Sequence, residues 1–241
     1  MSELVRRGFV LDRRPFREHD LQLTLLTEDG AALDALAPSG QQSKRRFAGG
    51  LSPLSLYRFA LTPSRKGFRL DEAAIERAWP ALWSSLARQS VVLCASALAG
   101  SLAEPLPGDP QVFLLLAEMH EQVSADATPE LALARLVRFA FEMLTLTGRA
   151  LVLDRCVRCE APAPDQALVT TDPAAGGVVC RACGGGDFRV TARDRAALRA
   201  VVAGELGAYH PGLVAITARL VGGVVPEAGE VIVKGTSVLA T

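Results

Sequence analysis

Alternation dominates the first third of the chain. Leu21, Leu23 and Leu25 are separated by Gln22 and Thr24, a period of two that predicts a strand with one buried face. Glu28-Asp29-Gly30 follows as a hairpin turn, and Ala31 to Ala37 can return as the partner strand. Upstream, Gly8 to Leu11 reads as a strand leading into a turn region at Arg13-Arg14-Pro15. Downstream, Leu54 to Leu61 puts Tyr57, Phe59 and Leu61 on one face and Arg58 on the other. Pro63 to Gly67 closes a hairpin into Phe68-Arg69-Leu70. Five short strands in so short a stretch suggest a small barrel of the OB type, and the strand number fits other small barrels equally.

From Asp71 to Gly148 the apolar spacing becomes helical. Asp71-Glu72 predicts a helix through Trp79, interrupted by Pro80, and Leu82, Leu86 and Leu93 mark a second helix ending near Gly100. The run Glu104-Pro-Leu-Pro-Gly108 reads as a linker. Asp109-Pro110 and Thr128-Pro129 each pair a cap with a first-turn proline. The helix after Asp109 carries Val112, Leu115, Leu116 and Met119. The one after Thr128 aligns Leu133, Leu136, Val137, Ala140 and Leu144, and Gly148 stops it. Thr191 to Asp194 predicts a further helix from Ala192 to about Glu205, and another covers Leu213 to Leu220. The final twenty residues alternate at Val231 and Val233, as a strand or a loose tail.

Between these helices lies Cys156-Val-Arg-Cys159, then Cys180-Arg-Ala-Cys183. Two residues between cysteines let a tight turn aim both sulfurs at one centre, and two such knuckles supply the closed tetrahedral thiolate set of structural zinc. Soft sulfur ligands favour zinc or iron–sulfur over calcium or magnesium. The expectation is one structural Zn²⁺ per chain on Cys156, Cys159, Cys180 and Cys183. Two disulfides, a redox pair or a site that has lost its metal are the alternatives. The segment Ala161 to Gly177 is mostly small and polar, and is expected to need the metal rather than a core of its own. A four-thiolate site leaves no open position for substrate, so it reads as a brace.

Charge changes the picture at the front of the chain. Over the whole sequence 26 basic side chains balance 26 acidic ones, yet residues 1–70 hold 12 basic against 7 acidic. Residues 81–155 hold 5 basic against 8 acidic, so a polyanion is expected to bind at the N-terminal third. Lys44, Arg45 and Arg46, with Arg13, Arg14, Arg65 and Lys66, can line one side of the barrel and hold phosphates. A merely solvated basic surface is the alternative. Tyr57 and Phe59 can stack bases, although their alternation places them in the core. No apolar leader with a cleavage site and no membrane span is read, and four paired cysteines beside one buried Cys94 fit a reducing cytoplasm.

Catalysis finds little support. His19, His120 and His210 are the only histidines, and none sits in the H-x-E pattern of zinc deaminases. No phosphate-binding G-x-x-x-x-G-K-[ST] loop occurs, and the acidic residues scatter without a pair. The chain therefore reads as a non-enzyme. A zinc-ribbon interaction adaptor with weak or no nucleic-acid binding competes with a DNA-binding protein, and a hydrolase or nuclease comes third.

In order along the chain, several segments resemble the bacterial RecO family of recombination mediators. They are Gly8 to Asp20, Leu26 to Gly30, the Ser43-Lys44-Arg45 loop, Gly50 to Leu54, Phe139 to Leu144, and the two cysteine pairs with Gly176 to Cys180. The resemblance implies an α+β multidomain chain. Its parts are an OB-fold barrel (1–78), an α-helical domain (79–150 plus 188–241) and a Cys₄ zinc-binding insertion (151–187). It implies binding of single- and double-stranded DNA, annealing of complementary strands, and assistance to RecA loading together with RecR on strands covered by single-strand-binding protein. It carries the zinc over to Cys156, Cys159, Cys180 and Cys183, and phosphate contacts to Lys44, Arg45 and Arg46.

Overall fold

The computed structural model describes residues 3–103 and 108–239, which form two compact units divided after Ala125. In the first unit, β1 (Leu4–Phe16), β2 (Asp20–Thr27), β3 (Ala32–Ala37), β4 (Ser55–Ser64) and β5 (Gly67–Ala78) close into a barrel of order β1-β2-β3-β5-β4. Every pairing is antiparallel except β3 with β5. Register shifts between Val10 and Asp12, and between Ala60 and Leu61, supply the bends that closure requires. Leu21, Leu23, Leu25, Tyr57, Phe59 and Leu61, which the alternation marks, face inward, and Val10 and Leu70 join them. Phe47 and Leu51, from the loop after β3, complete this core.

Two local readings in the barrel are corrected. Arg13, Arg14 and Pro15 belong to β1, and the chain turns only at residues 17–19. Residues 71–78 continue β5 instead of starting a helix. Asp71-Glu72 is a helix-start signal taken alone, but the ladder with β4 runs from Ser64↔Gly67 to Ser55↔Ala78 and overrides it. Within that ladder the Thr62 hydroxyl donates to Asp71 at 2.6 Å, so the carboxylate serves the strand.

Beyond the barrel come α1 (Pro80–Trp83), α2 (Leu86–Ala103) and α3 (Pro110–Ala125). Residues 104–107 of the expected linker lie outside the described residues. In α2 the buried stripe is Val91, Val92, Ala95, Leu98, Ala99 and Leu102. Leu86 and Leu93, expected to mark the packed face, are exposed, because α2 carries apolar residues on all sides and only packing selects a face. His120 of α3 is buried, with its Nδ1 2.8 Å from the Leu116 carbonyl and its Nε2 2.9 Å from that of Pro53. It stacks on Phe9, meets Trp79 at a tilt of 43°, and serves the core.

The second unit begins with α4 (Pro129–Leu146), capped by the Thr128 hydroxyl, which accepts from the Leu131 amide. Gly148 follows at φ +70, where a side chain would be strained. A three-stranded sheet of order β7-β6-β8 follows, from β6 (Val169–Asp172), β7 (Gly177–Val178) and β8 (Phe188–Val190). The segment between the knuckles thus reaches a core after all. Val169, Val178 and Val190 pack with Val137 and Phe141 of α4 and Leu198 of α5 (Ala192–Val202). Arg195 of α5 is buried, and its guanidinium donates to the Pro164 carbonyl, pinning the loop to the helix.

The tail is helical. After α6 (Gly212–Val224), α7 spans Pro226–Thr236, where alternation left a strand or loose end open. Pro226 fits the first turn, and Glu230 and Lys234 pair at 2.8 Å four residues apart. A Cβ at Gly229 would lie 2.5 Å from the Gly222 Cα and 2.7 Å from the Ala218 carbonyl oxygen. Backbone-close packing of α6 on α7 fixes this helix, and periodicity cannot register it.

Candidate nucleic-acid interface and metal centre

At the C-terminal end of β3 the chain enters a loop whose course is fixed by backbone and arginine contacts. Gln41 donates its amide to the His19 carbonyl at 3.0 Å, and Ser39 donates to Asp20 Oδ1 at 2.9 Å, which sets the loop beside the β1–β2 turn. The Arg46 guanidinium donates to the Pro38 carbonyl at 2.6 Å and lies over Phe47 at 4.9 Å. Ala73 of β5 donates to the Arg46 carbonyl at 2.8 Å, and Arg13 Nη1 donates to the Gly50 carbonyl at 2.7 Å. Between these clamps Lys44 and Arg45 are exposed, and their side chains make no hydrogen bond or ion pair among the described residues.

The seven basic side chains singled out in the sequence thus divide. Arg13, Arg14, Lys44, Arg45 and Arg46 gather at one end of the barrel, with Arg14 paired to Asp12 at 2.6 Å. Arg65 and Lys66 sit in the β4–β5 hairpin, which the Ala35↔Phe68 pairing places on the far side of β3. Both are exposed and unpaired among the described residues. A continuous surface joins the groups: Arg14↔Gln22, Gln22↔Leu36 and Leu36↔Arg69 are register partners, so they share the outward row across β1, β2, β3 and β5. Arg69, which the sequence reading did not select, closes that row and pairs with Asp71 at 2.7 Å.

Tyr57 and Phe59 are fully buried, and the Tyr57 hydroxyl accepts from the Ser52 amide at 2.9 Å, so neither offers a face to a base. Burial raises the Tyr57 phenol above its ordinary range. The exposed aromatic at this end is Phe16, with Arg17 above its ring at 5.2 Å. It stands at the strand end, where alternation no longer assigns a face.

The second site is the cysteine cluster. The ligand atoms of Cys156, Cys159, Cys180 and Cys183 all lie within 4.8 Å of one another. Cys159 Sγ and Cys180 Sγ are 3.6 Å apart, close to the edge of about 3.8 Å for a tetrahedron of 2.3 Å metal–sulfur bonds. The Cys180 amide points at Cys156 Sγ at 3.4 Å, and with the Arg158 amide it lowers the Cys156 thiol to about 6. The Cys159 and Cys180 sulfurs push Cys183 up to about 12. Four soft sulfur donors converging on one centre at this spacing form a donor set that fits a metal ion. Cys94, apart from them, is buried, and burial pushes its thiol up to about 12.

Residues 1–77 match the family described as Recombination protein O N terminal, and residues 84–214 match Recombination protein O C terminal. The chain belongs to the RecO family. It is 31% identical to the DNA repair protein RecO of Anaeromyxobacter sp. (strain K), over 77% of this chain and 72% of that one. It is 30% identical to the DNA repair protein RecO of Myxococcus xanthus (strain DK1622), over 85% of this chain and 80% of that one. RecO membership assigns the chain a role in DNA repair and recombination. The closed five-stranded barrel and the clustered thiols agree with the OB-type domain and metal site that the resemblance implied. No helix among the described residues is long and apolar enough to cross a membrane.

Proposed function

We propose that this chain is a non-catalytic, cytoplasmic recombination mediator that binds single- and double-stranded DNA, anneals complementary strands, and assists RecA loading with RecR on strands covered by single-strand-binding protein. The observation that carries the reading is the set of exposed cations with unpaired side chains, Lys44 and Arg45 in the loop after β3 and Arg65 and Lys66 in the β4–β5 hairpin. Cations without carboxylate partners can replace the counterions of a phosphate backbone, and two strands so neutralised repel each other less. Arg13 and Arg46 hold the loop in place, while Arg14 borders the surface from an ion pair.

In this reading residues 1–78 hold DNA, residues 79–150 with 188–241 face partner proteins, and residues 151–187 are an insertion braced by Zn²⁺ on Cys156, Cys159, Cys180 and Cys183. The metal supplies folding energy and no reaction step. The test is strand annealing by the purified chain across a salt series. Annealing that falls with salt, and falls further when Lys44 and Arg45 are replaced by Ala, supports the proposal. Annealing no faster than that of the free strands at every salt concentration overturns it.

A further inference from the structure

Beside the knuckles the second unit contains a cleft of about 480 Å³. Its walls follow from the small sheet. Val169 and Val190 are register partners and face the core, so the next pair, Thr170 and Arg189, faces outward into the cleft. Arg181 enters from the turn between Cys180 and Cys183. Both guanidiniums are exposed, and neither makes a hydrogen bond or ion pair among the described residues. Gly184, Gly185 and Gly186 form one wall without side chains, and a Cβ at Gly186 would strike the Thr171 backbone at 2.4 Å. Cys156 and Cys180 of the knuckles also line the cleft, and the rest of its lining is apolar, with Pro162 and the half-exposed Leu168.

We propose that this cleft is a second nucleic-acid contact that takes one nucleotide of single-stranded DNA, its phosphate between Arg181 and Arg189 and its base against Leu168 and Pro162. The inference rests on the DNA-binding reading above and assigns that reading a second contact, in the other unit of the chain. Two unpaired cations call for an anion, and the bare glycine wall lets a sugar–phosphate backbone approach. The volume lies in the range of roughly 300–1,000 Å³ that small-molecule sites occupy. An apolar rim beside paired arginines suits a base lifted out of a stack, which a single strand presents at little cost and a duplex does not. The knuckle would then have a use beyond bracing. Cys180 and Cys183 flank Arg181, so a metal on these sulfurs would fix the backbone from which that guanidinium projects.

The experiment compares the full-length protein with Arg181→Ala/Arg189→Ala and with Lys44→Ala/Arg45→Ala, measuring oligothymidylate binding against log salt by fluorescence anisotropy. At roughly 0.7 per single-strand phosphate, losing the one phosphate held between the two arginines lowers the slope by about 0.7. The expected result is such a fall for Arg181→Ala/Arg189→Ala, with metal content and unfolding temperature as in the parent. Arg181→Lys/Arg189→Lys should keep the slope, and Leu168→Asp should weaken single-strand binding more than duplex binding. A parental slope in the Arg181→Ala/Arg189→Ala variant, while the loop variant loses slope, overturns the cleft and leaves the barrel reading intact. Loss of an acidic peptide's binding with DNA binding unchanged would assign the cleft to a protein partner and likewise overturn it. Absence of salt-dependent binding by the parent would instead remove the functional reading on which the cleft depends.

Discussion

The guanidinium of Arg13 donates a 2.7 Å hydrogen bond to the carbonyl of Gly50, joining β1 to the end of the basic loop 37 residues away. A positive charge that a residue count assigns to DNA is here engaged with the protein's own backbone. Arg13→Ala should therefore act on the loop before it acts on the ligand. Faster amide exchange across residues 38–50 and a stability loss of about 1 kcal/mol are expected, the charged hydrogen bond being weakened by its exposure. Unchanged exchange in that loop would show the bond to be dispensable.

Lys44→Ala/Arg45→Ala should separate from Arg13→Ala in kind. Neither side chain braces anything among the described residues, so the unfolding midpoint should stay within about 0.5 kcal/mol of the parent. The slope of log affinity for duplex DNA against log salt should fall by about 2, one for each lost phosphate contact. Calorimetry and a salt titration on the same preparation give both numbers.

Replacing one knuckle sulfur tests the brace. Cys156→Ser leaves three thiols around a centre whose geometry suits four. If the site holds zinc as proposed, metal content should drop from one per chain in the parent to none in the variant, and amides of β6, β7 and β8 should exchange faster, while those of β1 to β5 keep their protection. Retention of stoichiometric zinc by the variant would refute the four-sulfur site.

His120 gives the fold a pH dependence of definite sign. Burial, opposed by the carbonyls of Pro53 and Leu116, lowers its pKa below the ordinary 6.5. The unfolded chain then binds a proton that the folded chain refuses, so stability is full above pH 6.5 and falls from there to the depressed value. Denaturant midpoints from pH 7.5 to 5 should decline in the parent and decline less in His120→Gln. Parallel curves for the two proteins would exclude His120 as the source.

The contact between α6 and α7 is equally open to test. Gly229→Val places methyl groups where the Gly222 backbone already stands and should cost about 1–3 kcal/mol. Gly207→Ala, where an added Cβ meets nothing within 4 Å, serves as the control in urea unfolding.

The sequence by itself determined what repeats locally or carries its own chemistry. Leu21, Leu23 and Leu25 face one way because a strand has a period of two. Thr128-Pro129 starts a helix because its cap and fixed φ act within one turn. Four cysteines at knuckle spacing meet because each pair needs only its own tight turn and the shared sulfur centre. The tertiary structure decided what depends on partners distant in the chain. Residues 71–78 became strand because β4 offers a complete ladder, and residues 226–236 became helix because Gly222 and Gly229 let two backbones touch. Leu86 and Leu93 turned to solvent because α2 had another apolar face to bury. The roles of the arginines belong to the same class: Arg13 and Arg46 find carbonyls, Arg14 and Arg69 find carboxylates, and Lys44 and Arg45 find none. Charge is written residue by residue, but whether a charge is free to meet a ligand depends on neighbours that only folding supplies.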